Sequence, residues 1–191
     1  SPFDARQLNP NSYNYRLHPR IRRLTNSVID MKRPDDFEEI VVPENGYVLE
    51  PGGCYIGCTV EKFGSDHFAA LITGRSSVGR KFITNHVTAG LIDQGFHGTI
   101  TLEITVQKPT RVYPNIVFGQ ILWFTPVGEA ELYRGKYADQ MVPTPSRLHL
   151  DSPEQGMSHD RVEDAKDPVG KTIATYDRIV DWYASCWLHD E

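Results

Sequence analysis

The sequence predicts a mainly β protein, built as a sandwich or a closed barrel. Three observations support this. Between about residues 39 and 126, short segments rich in β-branched and aromatic residues follow one another. Turn sequences such as PENG, EPGG and KPT separate them. No segment in this run repeats its apolar residues at the period of a helix. Many short strands at such a spacing are typical of sandwiches and barrels.

The strand segments account for most of the body of the chain. In order, they are EIVV, GYVLE, CYIGCTVEKF, FAALITG, GTITLEITVQ and VFGQILWF. The first forty residues are polar and contain several prolines, and NPNSYNYRL is their one strand-like piece. We therefore predict a single domain over residues 1–151, which is long enough to bury a core.

The remaining 40 residues predict a linker and a helix. Residues 152–170 have almost no large apolar side chain, which is typical of a linker. Residues 171–191 are predicted to form a C-terminal amphipathic helix, because apolar residues recur there at steps of three and four. These residues are Ile173, Tyr176, Val180, Tyr183 and Trp187.

Charge and composition exclude several classes of partner. The net charge is −5, so a nucleic-acid polymer is not expected, because neutralising its phosphates needs clustered Lys and Arg. No apolar run approaches the roughly 18 residues of a membrane span, and no secretion leader is visible. The three cysteines form no disulfide framework. A cytoplasmic protein is expected.

A zinc centre is not expected either. The histidines show no HExxH spacing, and no His-x-Glu pairs with a Cys-x-x-Cys, which is the pattern of zinc-dependent nucleobase deaminases. Cys54 and Cys58 lie on one predicted strand. We interpret them as two small buried side chains, in keeping with the usual burial of cysteine.

The sequence Gly74–Arg80, GRSSVGR, offers two hydroxyls, two guanidinium groups and glycine-flanked amides within one turn. Such groups bind phosphate oxygens well. Taken alone, the pattern fits a solvated turn equally well.

Glu103 is the more informative residue, because it lies inside the apolar strand segment TITLEITV. Burying a carboxylate there is unfavourable unless the group forms an ion pair or has a catalytic role. One interpretation is an ion pair with Arg75 or Arg80. The other is a general base or acid in a site that also contains Asp93.

Several of these motifs together resemble the dCTP deaminases of the trimeric dUTPase-like superfamily. They are GRSSVGR, HVTAGLIDQGFHGTITLE, FGQI, KYADQ and PSR, which span about residues 74–151. NPNSYNYRL is similar to that family's segment PNSYDLRL, with Asn14 in place of Asp. The resemblance implies a distorted β-barrel or jelly-roll subunit, a homotrimer, and active sites at the subunit interfaces.

The resemblance also implies catalytic roles. Glu103 matches the glutamate that takes a proton from the attacking water. Ser76 and Arg80 match the groups that position and polarise this water, and Ala89 matches a backbone that helps to hold it. Asp93 matches the aspartate near the deoxyribose. No metal activates the water in this reaction.

The nucleotide-binding positions follow in the same way. The strand Thr101–Glu103 would read the edge of the base, and most of the other matched positions would contact phosphates. The full set is Arg75, Ser76, Ser77, Val78, Gly79, Arg80, Asp93, Thr101, Leu102, Glu103, Gln120, Lys136 and Gln140. Tyr133 is not expected as a ligand, because its spacing from Lys136 is shorter than the family's.

The reaction implied first is hydrolytic deamination of dCTP to dUTP and ammonia, in pyrimidine deoxynucleotide metabolism. Mg²⁺ would enter only as the counterion of the triphosphate. The alternative is a bifunctional dCTP deaminase and dUTP diphosphatase that forms dUMP and pyrophosphate. A plain dUTPase is less expected, because Glu103 would then have no catalytic role. A non-catalytic nucleotide sensor is disfavoured, because Glu103, Ser76 and Arg80 are all retained.

Overall fold

A computed structural model describes residues 3–128 and 131–151. Nearly all of the regular structure in these ranges is β. The strands are β1 Tyr13–Arg16, β2 Arg20–Leu24, β3 Phe37–Val41, β4 Tyr47–Leu49, β5 Tyr55–Cys58, β6 Phe63–Gly64, β7 Ala69–Gly74, β8 Ile83–Thr84, β9 Leu91–Ile92, β10 His97–Gly98, β11 Thr101–Val106, β12 Thr110–Val112 and β13 Val117–Phe124. The helical elements are the single turn α1, Ser76–Gly79, and the 3-10 turns Ala5–Gln7 and Leu148–Leu150.

The predicted β class is confirmed, and the strands form two larger sheets and two small ones. One sheet has the order β1-β13-β7-β9, and the other has the order β3-β2-β5-β11-β8. The pairs β10-β6 and β12-β4 make the small sheets. Every strand pair is antiparallel.

The core is formed by alternating side chains of these sheets. On β11, Leu102, Ile104 and Val106 are buried, while Glu103 and its neighbours on the other face are partly exposed. This alternation is the period of a strand with one face on the core. The largest fully buried side chains are Tyr15, Tyr55, Phe118, Leu17, Ile21, Leu49, Leu102, Ile104 and Ile121.

Strand β2 was not among the predicted strands. Its sequence RIRRL is basic, and only Ile21 is fully buried. The strand pairs with β3, so that Arg22 lies opposite Glu39 and Arg23 opposite Glu38. The Arg22 and Glu39 side chains also form a salt bridge of 2.6 Å. Complementary charges across the pair compensate for the few apolar residues of this strand.

Two other predictions have mixed outcomes. Cys58 is buried as predicted, but Cys54 is exposed and precedes β5. Cys186, the predicted linker 152–170 and the predicted helix 171–191 lie outside the described residues. Among the helices that the structure describes, none is long and apolar enough to cross a membrane.

Candidate active site

A cavity of about 440 Å³ opens beside β11 and brings together five of the predicted site residues. Its walls come from the start of β11, the segment that contains β9, and the segment between residues 133 and 146. The predicted residues that line it are Ala89, Asp93, Thr101, Glu103 and Gln140. Residues around β9 and residues between 133 and 146, which are far apart in the sequence, thus line the same cavity.

Glu103 projects from the exposed face of β11, opposite Ile56 of β5. Its Oε2 accepts a hydrogen bond from the backbone N–H of Val87 at 3.2 Å. His86 Nδ1 lies 3.1 Å from the same oxygen. Because a carboxylate only accepts, Nδ1 is the donor. Of the two interpretations of Glu103, the ion pair with Arg75 or Arg80 is therefore absent among the described residues, and His86 contacts the carboxylate instead.

Further residues, most of them apolar, line the cavity without having been among the predicted site residues. They are Ile56, Leu91, Ile92, Phe96, Ile100, Tyr133, Tyr137, Thr144, Pro145 and Ser146. Tyr133 was not expected as a ligand, yet it lines the cavity. Its ring lies 6.5 Å from that of Phe96, and its hydroxyl accepts from the Tyr137 N–H at 3.1 Å. The sequence offers one indication of this wall, because Tyr133 lies just before the motif GKY and Tyr137 ends it.

Gln140 lines the cavity, and its side-chain amide is held within the chain. Its Nε2 donates to the Thr99 carbonyl at 2.9 Å, which fixes the orientation of the amide. Its Oε1 is buried and has no hydrogen-bond partner among the described residues. A buried acceptor without a partner is unfavourable.

The strand that was expected to read the base has a free edge. β8 pairs only with Thr105 and Val106 of β11, whereas β5 pairs with residues 101–104. In the part of the chain that the structure describes, no strand covers the other edge of residues 101–103. The Leu102 side chain is fully buried, so only its backbone is available to a ligand.

The GRSSVGR turn does not line this cavity. Arg75 precedes α1 in an extended conformation, and its carbonyl accepts from the N–H groups of Val78 and Gly79 at 2.9 Å. The side chains of Arg75, Ser76, Ser77 and Arg80 are exposed. Neither arginine forms an ion pair with the other described residues. The turn therefore presents free cations and hydroxyls away from Glu103.

Two further predicted nucleotide ligands are engaged within the chain. Gln120 Nε2 donates to the Gly74 carbonyl at 3.1 Å, and its Oε1 accepts from Ser12 Oγ at 2.9 Å. Gln120 thus supports the start of the GRSSVGR turn. Lys136 does not line the cavity, and its ammonium group pairs with the carboxylate of Asp151. Asp151 therefore already neutralises the charge of Lys136 within the chain.

Within residues 3–128 and 131–151, no three His, Cys, Asp or Glu side chains are grouped so that they could hold a metal ion.

Comparison with known proteins identifies relatives over most of the chain. The family model described as dCTP deaminase-like matches residues 1–125. The protein named dCTP deaminase, dUMP-forming, from Hathewaya histolytica is 45% identical over 151 residues, which are 78% of this chain and 88% of that protein. The protein of the same name from Cytophaga hutchinsonii is 43% identical over 151 residues, 78% of this chain and 87% of that protein.

A solved structure is also similar. The 2'-deoxycytidine 5'-triphosphate deaminase from Agrobacterium tumefaciens superposes with a TM-score of 0.55 at 25% sequence identity. The superposition covers 66% of this chain but only 42% of that protein's chain.

Proposed function

The chain belongs to the dCTP deaminase-like family, and we propose that it deaminates dCTP and then hydrolyses the dUTP formed to dUMP and pyrophosphate. One observation carries the deaminase part. Glu103 lies on the wall of a cavity of about 440 Å³, with one carboxylate oxygen fixed by His86 and Val87.

The dUMP-forming activity was the alternative in the analysis of the sequence, and the comparisons favour it over deamination alone. Relatives that are 45% and 43% identical carry the name dCTP deaminase, dUMP-forming. A third, from Clostridium beijerinckii, is 42% identical and carries the same name. Asp93 lines the cavity with Glu103 and supplies a second carboxylate for the second reaction.

In the first step, we propose that Glu103 takes a proton from a water molecule next to Ala89. The hydroxide adds to C4 of cytosine while the glutamic acid passes its proton to N3. The proton of the new C4 hydroxyl then moves, by way of Glu103, to the amino group, so that the C4–N bond breaks, ammonia leaves and a C4 carbonyl forms. One carboxylate oxygen already holds two donors, so the other is available for the water. The chemistry needs one water for each dCTP and no oxidant.

The second step consumes another water and breaks the bond between the α- and β-phosphates. Asp93 is the candidate to orient this water, because it is the second acid of the cavity. Mg²⁺ would arrive with the triphosphate, as part of the substrate. The proposed partners of the protein are therefore small nucleotides, and a cytoplasmic location remains an expectation.

A homotrimer with active sites between subunits is part of the proposal. Two observations support it. The GRSSVGR turn that should bind phosphates lies outside the cavity that contains Glu103, so one chain presents two separate half-sites. Leu71 and Leu91 lie directly opposite each other on β7 and β9 and remain 43% and 59% exposed. A second chain packed on this face would remove both side chains from water.

Product chromatography after incubation with Mg-dCTP and, in parallel, Mg-dUTP tests the proposal. The expected result is dUMP, pyrophosphate and ammonia from dCTP, and dUMP from dUTP. Accumulation of dUTP would reduce the function to deamination alone. Turnover of dUTP without turnover of dCTP would indicate a plain dUTPase, and binding without turnover would indicate a sensor.

A further inference from the structure

Two glycines face each other where the β1, β13 and β7 strands run side by side. Gly119 of β13 pairs with Tyr15 of β1 on one side and with Gly74 of β7 on the other. A Cβ at Gly119 would lie 2.1 Å from the Tyr15 hydroxyl, and a Cβ at Gly74 would lie 3.3 Å from Asn85 Oδ1. The two glycines therefore leave room for a phenol and an amide over the sheet.

Tyr15 and Asn85 fill this space and are hydrogen-bonded to each other. Asn85 Nδ2 donates to the Tyr15 hydroxyl at 3.1 Å and to the Phe118 carbonyl at 2.9 Å. The Tyr15 hydroxyl donates to the Thr73 carbonyl at 3.2 Å. Tyr15 is 0% exposed and Asn85 is 4% exposed. Both amide hydrogens and the phenolic hydrogen are thus used inside the protein, which is what buried polar groups require.

The Tyr15 hydroxyl keeps its proton at ordinary pH and therefore remains a hydrogen-bond donor. Burial, and secondarily the negative charge of Glu103, raise the pKa of Tyr15 well above the ordinary range of a tyrosine.

The position of this pair in the chain connects it to both half-sites. Thr73, which accepts from Tyr15, is followed by Gly74 and the GRSSVGR turn. Asn85 is followed by His86 and Val87, the two donors to Glu103. A displacement of Asn85 would therefore move the groups that hold the proposed catalytic carboxylate.

We propose that Tyr15 and Asn85 are positioning residues, which act as one unit to fix the segment 85–87 and through it the carboxylate of Glu103. This inference rests on the proposed function. Neither residue lines the cavity, so both act through His86 and Val87 and not through contact with substrate.

Three variants test the inference. Asn85→Leu keeps the approximate volume and removes both donors, Tyr15→Phe removes only the hydroxyl, and the third variant combines them. Tyr55→Phe is the matched control. Tyr55 is also buried, at 2% exposure, and its hydroxyl accepts one backbone hydrogen bond, from Glu50 at 3.0 Å. The Tyr55→Phe variant therefore removes a comparable hydrogen bond at a position away from the segment 85–87.

Ammonia release from Mg-dCTP is measured for all variants, well below their unfolding temperatures. We expect kcat of Asn85→Leu to fall at least about tenfold, the factor that corresponds to one lost buried hydrogen bond, with KM changed far less. Tyr15→Phe should show a smaller loss in the same direction. The double variant should be no slower than Asn85→Leu, because residues that act as a unit are not additive. Tyr55→Phe should lower only the unfolding temperature.

A second readout does not depend on turnover. In protein with ¹⁵N-labelled histidine, the Nδ1 signal of His86, assigned with His86→Gln, should shift in Asn85→Leu and stay unchanged in Tyr55→Phe. If Asn85→Leu and Tyr15→Phe keep kcat within about twofold and leave the His86 signal unchanged, the pair is merely structural and the inference is wrong. If the wild-type protein releases no ammonia, the proposed function has failed, and the His86 signal alone decides the positioning role.

Discussion

The imidazole of His86 and the carboxylate of Glu103 meet at 3.1 Å, between Nδ1 and Oε2, on the wall of the cavity. The Val87 N–H donates to the same oxygen. Among the described residues, no hydrogen bond reaches the other oxygen, Oε1. The side chain of Glu103 is 44% exposed and that of His86 only 13%. A mostly buried histidine thus holds one oxygen of a carboxylate that lines the cavity and leaves the other oxygen without a hydrogen bond among the described residues.

Replacing Glu103 by Gln tests the proposed general base. The amide has the size of the carboxylate and can still accept from Val87, but it cannot take a proton from water. We expect ammonia release from dCTP to fall at least about a hundredfold, the usual scale for the loss of a general base. The binding of Mg-dCTP, followed by calorimetry, should be retained. A variant that deaminates at nearly the wild-type rate would contradict the mechanism.

Arg75 tests the proposed phosphate site. It is exposed and forms no ion pair with the other described residues, so its charge is available to a triphosphate. We expect Arg75→Ala to raise KM for dCTP at least about tenfold, because a charge-assisted hydrogen bond to phosphate is lost. Lys108→Ala is the matched control, since it removes an exposed cation from the turn between β11 and β12.

The same pair of variants separates a local contact from a general effect of charge. A phosphate contact predicts that Arg75→Ala weakens dCTP binding in low and in moderate salt, whereas Lys108→Ala has little effect in either. Equal losses in both variants, which disappear when salt is added, would indicate long-range attraction only and would remove the phosphate role from Arg75.

The β architecture of the body could be predicted, because its strands have apolar faces of period two. β11 is an example, with Leu102, Ile104 and Val106 buried in alternation. β2 escaped prediction because its stability depends on Glu38 and Glu39 of another strand, which a local pattern does not contain. Cys54 was placed in the core because its segment resembles one continuous strand, but β5 begins one residue later.

The site was predictable where a residue breaks its local pattern. Glu103 stands out as a carboxylate in an apolar strand, and the structure places it on a cavity. The contact with His86 was not predictable, because it depends on how the segment after β8 folds back over β11. The position of Tyr133 on the cavity wall was not predicted for a similar reason: its backbone N–H donates to the Gln94 carbonyl, which brings it to the cavity despite its unusual spacing.

Cys58 gives the protein a predicted sensitivity to alkaline pH. Burial raises the pKa of this thiol from 9.0 to about 11. Above pH 9 the unfolded chain loses the thiol proton while the folded chain keeps it, so the free energy of unfolding should decrease between about pH 9 and 11 and be unaffected by Cys58 below pH 9. The loss should be about 2–3 kcal/mol at most.

Denaturant unfolding at several pH values checks this expectation. Cys58→Ala should be less stable than the wild type at pH 7, because a buried sulfur is removed, but its stability should decrease less from pH 9 to 11. Cys54→Ala is the control, because Cys54 is exposed. Parallel pH profiles for the wild type and Cys58→Ala would show that other groups govern the alkaline loss.

The two half-sites of the chain lead to a prediction about mixed subunits. If the cavity of one chain is completed by the GRSSVGR turn of a neighbour, Glu103→Gln and Arg80→Ala chains carry their defects in different halves of each composite site. Each variant alone should be nearly inactive. After the two are mixed in equal amounts and allowed to exchange subunits, about a quarter of the sites should combine two intact halves in a randomly mixed cyclic trimer. Deamination should therefore recover to about a quarter of the wild-type rate. If Glu103 and Arg80 of the same chain serve one site, no mixture restores activity, although sedimentation would still report the exchanged oligomer.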